Sequence, residues 1–233
     1  MSLVFTLLCP SMSWASPSVL FFDDFSGTAL DTSQWSLFVD KNGEGQWPYV
    51  EGGFLISQGY HTRIDSIPGF PAPETGESVT GSASIRLAGE IQKFGFAPNP
   101  HERAGHPITG YSFDTMSSEE GGGGCEVNYV HALAWSSPTF ESWDILLDVK
   151  IPVTWYEFHE FAIERTPSKV IYSIDGQEVA HVADAFAGAL PVGVWNDRSW
   201  LMKTDWVEVA IPEPATLLLL GLGGLALLRK RRT

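Results

Sequence analysis

From residue 16 to 211 apolar residues recur at every second position in short runs, and no stretch repeats them at the three-to-four spacing of an amphipathic helix. The clearest unit is 157–182. His159, Phe161 and Ile163 alternate with Glu160, Ala162 and Glu164, and Thr166-Pro167-Ser168 makes a turn. Val170, Tyr172 and Ile174 then alternate up to Asp175-Gly176, a two-residue type I′ hairpin signal because both positions need positive φ. Residues 51–59 form an apolar segment bounded by glycines, 82–96 reads as two strands joined near Gly89, and 201–210 reads as a final strand. After four glycines, CEVNYVHALAW (125–135) reads as a strand carrying Glu126, Asn128 and His131. On this reading Glu126 and Asn128 occupy an open face while Tyr129, Leu133 and Trp135 pack inward. Two Pro/Gly-rich stretches, 64–80 and 97–107, are expected to be long loops. Many strands without intervening helices predict an all-β, two-sheet sandwich.

The two ends follow a different pattern. Residues 1–15 are apolar and finish in small residues, with a cleavage point expected after Ala15, so they read as a secretory signal peptide. The usual basic residues before the apolar run are absent, which a start site upstream would explain. At the other end, 215–228 carries no charge and Arg229, Lys230, Arg231 and Arg232 follow. That run predicts a short transmembrane helix, below the roughly 20 residues of a comfortable span, with its basic tail on the cytoplasmic side. The sandwich is therefore expected over 16–210 and a separate tail over 211–233.

Removing the ends sharpens the charge. Four of the 14 basic residues lie after Glu213, leaving ten against 28 acidic ones, a net of −18 for the body counted through Glu213. Such a body repels phosphates, so nucleic acid is excluded as a partner. Cys9 falls in the signal, so Cys125 is alone in the body and reads as an inert thiol.

Pro212-Glu213-Pro214, followed by the apolar run and the basic cluster, resembles the PEP-CTERM sorting signal of Gram-negative bacteria. The resemblance implies an exported protein, held transiently in the inner membrane. An exosortase-type enzyme would then process it, leaving the body at the cell surface or in the extracellular matrix. Within the body, FFDDFSGTALDTSQW (21–35), VIYSIDGQEV (170–179) and TDWVEV (204–209) resemble the opening, hairpin and closing strand of concanavalin A-like domains, including laminarinase-type family 16 glycoside hydrolases. The resemblance implies a jelly-roll sandwich and, in related proteins, a structural Ca²⁺ between the first and last strands. Asp24 and Asp205 occupy the matching stretches, although two carboxylates do not make a Ca²⁺ site and Asp is common at turns and strand ends.

In those hydrolases one strand carries Glu-x-Asp-x-Glu, or one residue more where a bulge restores the face. The outer two carboxyls act as nucleophile and acid/base about 5–5.5 Å apart. Here the matching stretch keeps the first as Glu126, has Asn128 in the middle, and offers Val130 or His131 last. A lone carboxylate cannot run the two-step mechanism, so the expectation is a degenerate, non-catalytic site that binds extracellular polysaccharide. A divergent hydrolase that draws its acid from Glu119, Glu120, Glu141 or Asp144, and a structural matrix protein without ligand, are the alternatives. For stacking on sugar rings, Trp195 and Trp200, flanking the polar stretch Asn196-Asp197-Arg198, are the expected exposed platforms, with Trp135 a third. His101-Glu102-Arg103-Ala104-Gly105-His106 is one residue too long for a zinc helix motif, and its prolines and glycine forbid the helix.

Overall fold

The computed structural model of the chain describes residues 18–39, 47–58, 62–89, 91–97, 108–115, 127–139, 142–183, 186, 188–196 and 200–212. Both terminal segments, the zinc-like stretch, Cys125 and Glu126 lie outside the described residues.

The described residues form two antiparallel sheets. One runs β13 (Gln177–Val182), β12 (Val170–Ile174), β11 (Phe158–Arg165), β6 (Val79–Arg86), β15 (Met202–Ile211), β4 (Phe54–Ser57) and β3 (Tyr49–Glu51), and β1 (Ser18–Asp23) pairs with β15 as an eighth strand. The other runs β10 (Ser142–Pro152), β9 (Tyr129–Thr139), β8 (Ile108–Asp114), β7 (Gln92–Phe96), β14 (Val192–Asn196), β5 (Thr62–Ser66) and β2 (Trp35–Val39). Sequence neighbours lie in different sheets at β1–β2, β4–β5 and β6–β7, which is the crossing pattern of a jelly roll. The all-β sandwich expected from the alternation is thus the fold.

Alternation along each strand supplies the core. Ile64, Phe94, Phe113, Val130, Ala132 and Val194 of one sheet meet Ile85, Phe161, Ile163, Tyr172, Val207 and Val209 of the other. Edge-to-face contacts link Trp35 to Phe21 at 4.9 Å, Phe21 to Phe70 at 6.2 Å and Phe70 to Phe96 at 6.4 Å between ring centroids. Each such pair adds about 1 kcal/mol beyond area burial. In the opening motif Asp23 is the structural carboxylate. Its oxygens accept Trp35 Nε1 at 2.6 Å and the Phe25 amide at 2.8 Å, tying the end of β1 to the start of β2. The hairpin at Asp175-Gly176 has the expected backbone, with φ of 52° and 75° and Ile174 paired to Gln177.

Two expectations need correction. The stretch 64–80 is not a loop throughout: Ile64 to Ser66 complete β5 and β6 begins at Val79. Between them Phe70 and Leu190 exchange backbone hydrogen bonds of 2.8 and 2.9 Å, so even the irregular part is pinned. Within CEVNYVHALAW, Val127 and Asn128 form a turn and the strand begins at Tyr129.

Candidate functional site

Asn128 decides how β9 presents its side chains. Its φ is 67°, in the left-handed region, and its side-chain oxygen accepts the Trp155 amide at 3.1 Å while its carbonyl accepts the Val153 amide at 2.9 Å. Trp155 returns the contact, donating Nε1 to the Tyr129 carbonyl at 3.2 Å. Asn is among the few residue types that tolerate this conformation, so the side chain stitches a turn to the start of the strand.

The left-handed residue interrupts the two-residue period, and the predicted faces are reversed. Val130, Ala132 and Ala134 are buried between the sheets, which leaves Tyr129, His131, Leu133 and Trp135 on the opposite face, the open face of the seven-stranded sheet. Val130 is thereby removed from any site.

The register then assembles a row across that face. Arg63 on β5 faces Trp195 on β14, which faces Lys93 on β7; Lys93 faces Asp114 on β8, which faces His131 on β9, which faces Lys150 on β10. The row is knit by charge. Arg63 Nε meets Asp65 Oδ2 at 2.6 Å and its guanidinium lies 4.0 Å from the Trp195 ring centroid, while Asp65 Oδ1 accepts Trp195 Nε1 at 3.1 Å. Lys93 Nζ meets Asp114 Oδ2 at 2.9 Å. His131 Nδ1 lies 2.7 Å from Asp148 Oδ1, so the proton sits on Nδ1 and a neutral ring offers Nε2 as an acceptor. Lys150 Nζ lies over the Tyr129 ring at 4.2 Å. Each described carboxylate of this face, Asp65, Asp114 and Asp148, is therefore engaged, and β9 contributes none.

Two glycines allow the row to pack flat. A Cβ on Gly193 would run into Asp65 and Trp195, and one on Gly110 would run into the Trp135 indole. Trp195 is consequently 5 % exposed, not the exposed ring expected from its neighbours, and Asn196 is fully buried, donating to the carbonyls of Ser57 and Trp200. Trp200 is 52 % exposed, and Trp135 is half-buried. Asp144 pairs with Ser136 and is exposed, whereas Glu119, Glu120 and Glu141 lie outside the described residues. The row of ion pairs was not legible beforehand, although Arg63-x-Asp65 and the cross-strand cations alternate with core residues and carry that signal.

At the far end, Asp23 lies opposite Val207, so the stretches holding Asp24 and Asp205 run side by side. The Asp24 carboxylate is held below its ordinary value by hydrogen bonds from the side chain and backbone of Ser26. Among the described residues no group of three or more Asp, Glu, His or Cys stands together as a metal cluster. Two carboxylates fall short of the roughly six to eight oxygens that Ca²⁺ takes.

Comparison with known proteins bears on both parts of the chain. Residues 210–232 match the PEP-CTERM protein-sorting motif, which marks the chain for export and exosortase processing. No curated protein matches the chain. Among solved structures, the endo-1,3-beta-glucanase of Streptomyces sioyaensis is similar with a TM-score of 0.60 at 16 % identity, over 87 % of this chain and 100 % of that one. LamA of Zobellia galactanivorans, in complex with laminaritriose and laminaritetraose, gives 0.58 at 13 %, over 83 % and 98 %. A family 16 glycosyl hydrolase of Mycobacterium smegmatis gives 0.56 at 12 %, over 82 % and 100 %. At these identities the likeness is one of fold: the body shares the two-sheet jelly-roll architecture of those structures.

Proposed function

We propose that the protein is an exported, exosortase-sorted surface or matrix protein whose sandwich binds extracellular polysaccharide without cleaving it. The observation that carries the reading is the open face of β9. At the described positions that match the hydrolase motif the chain offers Asn128, Val130 and His131, none of them a carboxylate, and the carboxylates beside β9 are held by Lys93 and His131. Asn128 serves backbone hydrogen bonds instead of chemistry. Trp135 supplies a half-buried indole for the C–H face of a sugar, and the His131–Lys150 pair lies farther along the same sheet. The solved structures of similar fold include glucan hydrolases, one of them holding laminari-oligosaccharides, which supports a neutral β-glucan as the first ligand to try.

The test is a polysaccharide panel scored for both binding and reducing-end release. Binding without release is expected, weakened about tenfold in Trp135→Ala, the size of one lost stacking contact. Release that vanishes in Glu126→Ala would establish the divergent hydrolase instead, and absence of binding to every glycan would leave the structural matrix role.

A further inference from the structure

The outer face of the eight-stranded sheet carries a second arrangement, of opposite character. Lys203 on β15 and Arg86 on β6 are Cα partners across the sheet, and Arg86 is also the partner of Phe158 on β11. Two like charges set directly opposite one another on neighbouring strands destabilise a sheet. A carboxylate between them would cure this, and the body has 28 acidic residues to draw on. Among the described residues none does so. Glu51, Glu157, Glu160 and Asp205 are the acidic neighbours in register or sequence, and none makes an ion pair with Arg86 or Lys203.

Aromatic rings frame the two cations. Phe54 and Phe158 stack at 5.4 Å between centroids, at 23° between planes, across the strands that bear the cations. Lys203 Nζ lies 5.5 Å from the Phe54 centroid, and the Arg86 guanidinium 5.9 Å from that of Tyr156. Phe158 and Tyr156 are exposed, and Trp47 and Tyr49 extend the aromatic surface along the β3 edge. The placement of Tyr156 is costly. Its φ is 69°, a left-handed conformation rare for a bulky residue and found where the surrounding structure over-determines it. Two hydrogen bonds hold it there. The Tyr156 amide donates to the Leu87 carbonyl at 2.8 Å, and the Tyr156 carbonyl accepts Arg86 Nε at 2.9 Å. The second also fixes the guanidinium by Nε and leaves its two terminal nitrogens for another partner.

We propose that this face is a binding surface for an acidic polysaccharide, whose carboxylate or sulfate sits between Arg86 and Lys203 while its sugar rings lie against Tyr156, Phe158 and Phe54. The chemistry is complementary on both counts. A planar fork beside an ammonium suits an oxyanion, and the exposed rings suit sugar C–H faces. The body's net charge of −18 makes the pair a local exception, so an anionic chain is directed to this patch and away from the rest of the surface. It is a different sheet and a different face from the glucan reading above, and neither depends on the other.

The experiment measures binding of the full chain to a polyuronate, a sulfated galactan, a neutral β-glucan, inorganic sulfate and vesicles containing anionic phospholipid, at low and at physiological salt. Polyuronate or sulfated galactan binding that weakens with salt is expected. Arg86→Gln with Lys203→Gln should reduce it about tenfold or more, as expected for loss of charge-assisted contacts. The same pair of substitutions should leave neutral glucan binding unchanged. Tyr156→Gly, which relieves the backbone strain while removing the ring, should weaken acidic glycan binding without loss of folding. Acidic glycan binding that is equal in the double variant, or that ignores salt, overturns the proposal. So does capture by anionic vesicles or free sulfate with no polysaccharide bound. Loss of Trp135-dependent glucan binding alone bears only on the open face of the other sheet.

Discussion

The outward faces of the two sheets use the same residue types in opposite ways. On the seven-stranded sheet each described cation has a partner: Arg63 with Asp65 and Trp195, Lys93 with Asp114, and Lys150 over Tyr129. On the eight-stranded sheet Arg86 and Lys203 stand together without a carboxylate, among exposed rings. One face has satisfied its charges internally and is built for stability. The other holds charge in reserve. What separates them is the partner, since an Arg beside an Asp is part of the fold and an Arg beside a Lys is a request for an anion.

Substitutions can break this contrast. The largest effect is expected for Asp65→Ala, which strands the Arg63 guanidinium and the Trp195 Nε1 in a nearly closed setting, at a cost of about 3 kcal/mol read by urea unfolding. Next comes Asp23→Ala, which removes two hydrogen bonds to Trp35 and Phe25 and should cost about 2 kcal/mol. Its neighbour Asp24 accepts from Ser26 at the surface, and Asp24→Ala should leave the urea midpoint essentially unchanged. The smallest change is expected for Lys203→Gln, neutral or slightly stabilising because a like-charge pair disappears. Equal losses for Asp65→Ala and Lys203→Gln would erase the distinction between the faces.

Acid sharpens the comparison further. The Asp175 carboxyl is partly buried, which raises its pKa, but hydrogen bonds from the His159 side chain and the Glu160 amide, with the charge of His159, lower it on balance. Asp31 is lowered by hydrogen bonds from Ser33 and Gln34. Because these folded-state values lie below the unfolded ones, the stability they contribute is complete above the ordinary carboxylate range. It is lost as pH falls through the depressed values. Thermal melts should thus decline below about pH 4, and Asp175→Asn should flatten that decline.

The sequence made the hairpins legible because their signal is local. Asp175-Gly176 demands positive φ and obtains it, and the alternation in 157–182 maps directly onto β11 to β13. The face of β9 was misread for a physical reason. Alternation fixes which residues share a face only while the backbone stays extended, and Asn128 leaves the extended region just before Tyr129. Trp195 was misplaced because exposure was inferred from a polar neighbour, whereas Asn196 is itself buried and spends its amide on two backbone carbonyls. The alternation marked these charges as outward-facing, but not their pairing, since Arg63, Lys93, Asp114 and Asp148 are brought together by strand pairings between distant parts of the chain.

One pairing bears on how the body assembles during export. β15 lies inside its sheet, with β6 along one edge and β4 and β1 end to end along the other, and Ser18 is the partner of Ile211. The first described strand therefore waits for the last, and the sheet has no closed form until β15 is delivered. Contacts of such sequence separation fold slowly. The match to the sorting motif starts at Ala210, inside that same strand, so the strand that completes the sheet is also the one that leads into the motif.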